Sequence, residues 1–125
     1  LSRDIRKKFE FIRGVSIFSE EFSLIKAAII KNIIKDAESI IKEDQLNKKI
    51  KKIVLFGSAI ENKMTYKSDI DISIEFSSIS LEEATFFRKR MQGKVHNKVD
   101  IQIYNILPDK IKKEIDLKGK VIFQR

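Results

Sequence analysis

Between Asp69 and Phe76 the chain alternates without a fault: Ile70, Ile72, Ile74 and Phe76 are apolar, and Asp69, Asp71, Ser73 and Glu75 beside them are polar. A period of two sends successive side chains to opposite faces of a strand, so this segment belongs in a sheet with one apolar face and one acidic face. The alternation therefore demands neighbouring strands and an apolar layer over one face. It leaves two carboxylates, Asp69 and Asp71, on the same side of the other.

The remaining elements follow from the same kind of pattern. Ile53 to Phe56 is a short apolar run closed by Gly57, which predicts a buried strand. Val99, Ile101 and Ile103 alternate with Asp100 and Gln102 in a further strand, and Val121 to Phe123 fits an edge strand. From Ser19 onward, Phe22, Ile25, Ile29, Ile33, Ala37 and Ile40 recur at steps of three and four, the stripe of an amphipathic helix. Glu20 and Glu21 suit its start and Lys42 its end. Ser80 with Glu83 forms a capping box ahead of Leu81, Ala84, Phe87 and Met91, with Gly93 as the stop. Pro108 opens a short helix through Ile111 and Ile115 that ends near Gly119. The order is helix, strand, strand, helix, strand, helix, strand. It predicts one α/β (α+β) domain over residues 19–125, with a small mixed or antiparallel sheet, helices packed mainly on one face and the acidic site on the other. Residues 1–18 mix basic residues with Phe9, Phe11 and Phe18 without a sustained period and are expected to form an N-terminal arm.

Composition narrows the function classes. A chain of 125 residues suffices for one core, and 42% hydrophobic residues place it outside the range of disordered chains. The absence of cysteine excludes disulfides, thiolate metal sites and a cysteine nucleophile, and fits a reducing, cytoplasmic setting. Lysines interrupt every apolar stretch short of the roughly 18 residues that span a bilayer, so no membrane partner is expected. The net charge of +8 would attract phosphate, nucleic acid or an acidic partner without saying which. No alternation of basic and aromatic residues accompanies it, which argues against nucleic acid and for a solvated basic surface.

The residues that carry chemistry form one constellation. Gly57-Ser58 ends the first strand, and ten residues later Asp69-Ile70-Asp71 opens the second, a G-S-x10-D-x-D spacing. Ordinary residue frequencies would produce it about once in a thousand chains of this length. Asp69 and Asp71 share a face and can grip the same hard cations, and Asp100, at the start of a later strand, can bring a third carboxylate beside them. Glycine lets the backbone approach a phosphate, and the amides after it, with the Ser58 hydroxyl, can donate to anionic oxygens. Lys67, next to the aspartates, is a further phosphate candidate. Glu75, two pleats beyond Asp71, is expected to be structural.

Leu55-Phe56-Gly57-Ser58, Ser68-Asp69-Ile70-Asp71-Ile72, Val99-Asp100-Ile101 and the ending Gly119-Lys120-Val121-Ile122 resemble the minimal nucleotidyltransferases of the DNA polymerase beta superfamily, over roughly residues 20–125. Ala59 and Asn62 stand where many members carry an arginine and a glycine, a departure that bears on nucleotide affinity. The resemblance implies a polymerase beta-like fold and two magnesium ions held by Asp69 and Asp71, with Asp100 ligating one of them and orienting or deprotonating an acceptor hydroxyl. It implies that Gly57 and Ser58, with Ser68 and Lys67 close by, bind the phosphates of a nucleoside triphosphate, with ATP as substrate and AMP transferred. Small members commonly act as the antitoxin of a HEPN-type toxin and transfer AMP to a tyrosine of that toxin, so a HEPN-like partner is implied. Two alternatives remain: a non-catalytic antitoxin that covers its partner, and an antibiotic-type small-molecule nucleotidyltransferase. The second is disfavoured, because 125 residues leave little room for an acceptor-binding domain.

Other residues carry less. His96, the sole histidine, is expected in a surface loop. Arg90 and His96 match the Arg-x5-His spacing of HEPN ribonucleases, but outside the helical bundle that spacing needs. Arg88, Lys89 and Arg90 read as the wet face of a helix.

Overall fold

The alternating segment is β2 (Ile70–Phe76), and it lies inside a four-stranded sheet, as its pattern demands. A computed structural model describes residues 15–57 and 69–125 of the chain, with side chains from Leu24 onward. The described elements run α1 (Val15–Lys42), β1 (Ile50–Phe56), β2, α2 (Leu81–Gln92), β3 (Val99–Ile103), α3 (Asp109–Lys118) and β4 (Lys120–Gln124), the order expected from the sequence. Short 3-10 turns at Asn47–Lys49 and Tyr104–Ile106 join them.

The sheet order is β3-β2-β1-β4. β1 is antiparallel to both β2 and β4, whereas β3 runs parallel to β2, which makes the sheet mixed. A parallel pair needs a crossover, and α2 supplies it between β2 and β3. Its ends follow the expected chemistry. The Ser80 hydroxyl accepts from the Glu83 N–H while the Glu83 carboxylate accepts from the Ser80 N–H, and Gly93 caps the C-terminus.

The chain divides into two units, 1–32 and 33–125. In the first, α1 exposes Leu24, Ile25 and Ile29. The second holds the sheet and its core. Ile53, Ile70, Ile72, Ile74, Ile101 and Ile103 are fully buried on one face, each contributing roughly 1.5–3 kcal/mol. Ala37 and Ile41 of α1 and Ala84, Phe87 and Met91 of α2 are buried with them, and the Phe87 ring meets Phe76 edge-on at 5.1 Å.

Polar ties connect the layers. Asp44, just past α1, is buried and receives two hydrogen bonds from Arg90 of α2, at 3.0 and 2.9 Å. Burial pushes its carboxyl up, but the Arg90 guanidinium, the Leu46 N–H and Lys94 outweigh that and hold it below its ordinary value. The Asn105 amide donates to Phe76 O and accepts from Phe76 N, both at 2.9 Å, which closes the end of β2. Gln92 does the same for β3: its amide donates to Val99 O at 3.1 Å and accepts from Ile101 N at 2.8 Å. Arg88 Nε donates to Ile101 O.

Two details depart from expectation. Helix α1 begins at Val15, ahead of Ser19, so its first turn precedes Glu20 and Glu21. The short α3 lies on the polar side of the sheet. A side chain at Gly119, which ends it, would collide with Val54, and Val54 is the register partner of Ser73 on that face. The sheet therefore carries the last turns of α1, around Ala37 and Ile41, with α2 on its isoleucine face and one short helix over part of the other.

Candidate active site

What α3 leaves uncovered on the polar side is the end that bears the aspartates. In the parallel register of β2 with β3, Ile70 pairs with Val99, Asp71 with Asp100 and Ile72 with Ile101. The two carboxylates thus project from adjacent strands on the same face, and Asp69 lies one pleat before Asp71. Asp71 and Asp100 are half-buried and Asp69 is exposed. The sequence alone could not fix the neighbour of Asp100; the α2 crossover does so by laying β3 directly against β2.

Gly57 approaches from the other side. Phe56 is the register partner of Asp71, and the next residue, Gly57, turns the chain with a φ of 79°. That region favours glycine. A side chain here would also strike Asp71 Oδ2, so the missing Cβ is what admits the carboxylate.

The carboxylates of the cluster repel one another. Burial first, and then the charges of Asp100 and Asp69, together push the Asp71 carboxyl up from 3.8 to about 6. Asp100 is held from one side: Gln102, two residues on and on the same face, donates from Nε2 to Asp100 Oδ2 at 2.9 Å. Among the described residues no three His, Cys, Asp or Glu side chains are gathered closely enough to hold a metal ion. The donors are nevertheless of the right kind. They offer only carboxylate oxygen, which suits hard divalent cations, and their mutual repulsion is the energy such a cation relieves. Ser58, Lys67 and Ser68 lie outside the described residues.

The far end of the same face is closed. Lys52, Ser73, Glu75, Tyr104, Asp116 and Gly119 are among the residues around a hollow of about 30 Å³, room for a water or two. Tyr104 Oη donates to the Asp116 carboxylate, and Glu75 pairs with Lys51, the structural role expected of it. Arg90 is committed to Asp44, Arg88 to the Ile101 carbonyl, and the exposed His96 accepts from the Lys98 N–H, so all three serve local structure. Gln102 is the residue near the site that sequence reading passed over. Its place two residues after Asp100 on a strand was the available signal.

The sheet and its helices form a nucleotidyltransferase fold. The family model described as "Polymerase beta, Nucleotidyltransferase" matches residues 38–125, and the chain belongs to that family. Two proteins of Methanocaldococcus jannaschii, both named "Putative protein adenylyltransferase", are similar in sequence. One is 41% identical over 71 residues, covering 57% of this chain and 53% of the relative, and the other 47% identical over 47 residues, covering 38% and 45%. The chain thus spans about half the length of these relatives. Among solved structures, a chain from a toxin-antitoxin crystal structure with AMP-PNP superposes with a TM-score of 0.55 at 20% identity, covering 72% of this chain and 74% of that one. A chain from the complex of tri-AMPylated Shewanella oneidensis HEPN toxin with MNT antitoxin gives 0.53 at 18%, covering 74% and 73%. At such identities the likeness is one of fold.

No described helix is long and apolar enough to cross a membrane.

Proposed function

We propose that this chain transfers AMP from ATP to a hydroxyl of a partner protein, a tyrosine of a HEPN-like toxin, and releases pyrophosphate. The observation that carries the reading is the register pairing of Asp71 with Asp100, at the end of the face that α3 does not cover and against Gly57. The names of the relatives and of the toxin-antitoxin complexes support the choice of AMP and of a protein acceptor.

In this mechanism Asp69, Asp71 and Asp100 would hold magnesium, which would supply charge neutralisation at the reacting oxygens. Gly57 lets the backbone approach the β and γ phosphates, and Ser58, with Ser68 and Lys67, donates to their oxygens. Asp100 orients the acceptor hydroxyl and takes its proton. The acceptor oxygen then bonds to the α phosphorus as the bond from that phosphorus to the pyrophosphate oxygen breaks. Pyrophosphate leaves with the electron pair.

The test is incubation of the chain with ATP labelled at the α phosphorus, magnesium and a HEPN-type protein. Label should appear on a tyrosine of that protein and vanish with Asp69→Asn, Asp71→Asn. A partner that is inhibited equally by the chain and by this double variant, without label, would establish the non-catalytic antitoxin instead.

A further inference from the structure

Gln102 is the one side chain among the described residues that donates a hydrogen bond to a carboxylate of the cluster. Its amide can donate only through Nε2, and a carboxylate can only accept, so the polarity of the contact is fixed by chemistry. Gln102 lies on the same face of β3 as Asp100, and its register partner on β2 is Ser73, which is buried. The amide therefore projects from a packed base, between the acidic end of the face and the end closed by α3. Its backbone is secured as well, because Gln92 and Arg88 tie the neighbouring residue Ile101 at both its N–H and its carbonyl.

We infer that Gln102 is a positioning residue: by engaging Oδ2 it fixes the plane of the Asp100 carboxylate and leaves Oδ1 to serve the cation that Asp71 and Asp69 share. This deepens the proposed function and rests on Asp100 being a ligand there. Without the amide, Asp100 faces two like charges and can swing away from them, so the geometry a cation needs must be gathered at the moment of binding. Partners of this kind, one step behind a metal ligand, typically govern metal affinity by about ten- to hundredfold.

The experiment measures Mn2+ binding to the full chain, by loss of the free-ion paramagnetic resonance signal, in Gln102→Met, Asp100→Asn, the double variant and the unaltered protein. Thermal melts confirm that each is folded, and Gln102→Leu replaces Gln102→Met should the latter fail to fold. Gln102→Met is expected to weaken Mn2+ about tenfold and Asp100→Asn at least as much, with the double variant no weaker than Asp100→Asn alone. A structural role for Gln102 would shift the melt and leave this coupling absent. Unchanged Mn2+ affinity in Gln102→Met, with affinity lost in Asp100→Asn, overturns the role of Gln102 and leaves the proposed site standing. Unchanged affinity in Asp100→Asn overturns the site itself, and the role of Gln102 with it.

Discussion

Gly57 and Asp71 occupy one space: the carboxylate of Asp71 reaches into the position that a Cβ on Gly57 would fill. The glycine is required twice, once by its φ of 79° and once by its neighbour.

Gly57→Ala should therefore harm stability and activity through separate causes. The backbone strain amounts to about 1–2 kcal/mol, read as a lowered melting temperature. The displaced Asp71 should lower AMP transfer by about a hundredfold, since small misplacements near the chemistry are that costly. A variant with the melt lowered and transfer intact would separate Asp71 from the reaction.

Asp71→Asn should abolish transfer and, at neutral pH, raise the melting temperature in metal-free buffer. The folded chain holds the Asp71 proton up to about pH 6, against 3.8 for an ordinary carboxyl. The stability tied to that proton is fully present below 3.8 and is lost as the pH rises through 6. The variant escapes the loss, so its advantage should be near zero at pH 4 and reach a few degrees above pH 7. Added magnesium should raise the melt of the unaltered protein and leave that of the variant in place.

Arg90→Met should be among the most destabilising single changes, because it leaves Asp44 buried without its cation. Arg90 is partly exposed, so the expected loss is about 2–3 kcal/mol, below that of a fully enclosed pair. The Asp44 carboxyl is held below 3.8, which makes the contribution of the pair complete above that value and lost as the pH falls through the lowered one. The gap between variant and parent in chemical denaturation should narrow in acid.

Asn105→Leu removes both bonds to Phe76 and leaves its N–H and carbonyl unpaired at the end of β2. A loss of about 1–3 kcal/mol is expected in urea unfolding, with transfer activity retained, since the change lies at the end of the face away from Asp71.

Most of the fold was legible because it depends on local periodicity. The alternation around Ile72 sets the sheet, Ser80 and Glu83 start α2, and Pro108 and Gly119 bracket α3, each within a few residues of the structure it dictates. The stripe of α1 was legible in type but not in extent: Ala37 is buried and Ile33 half-buried, while Ile25 and Ile29 are exposed. Periodicity states which residues share a face and not how far the neighbouring layer reaches along it. The pairing of Asp44 with Arg90, or of Asn105 with Phe76, joins residues far apart in the chain, and no pattern of spacing announces it. In the candidate site, the shared face of Asp69 and Asp71 followed from the period of two, whereas the adjacency of Asp100 needed the parallel crossover.

Gln92 gives the sheet a seam. By meeting the outward groups of Val99 and Ile101 with its own amide, it makes α2 imitate one more strand along the flank of β3. An incoming foreign backbone finds those two positions already taken, so fibre-like growth from that flank is discouraged.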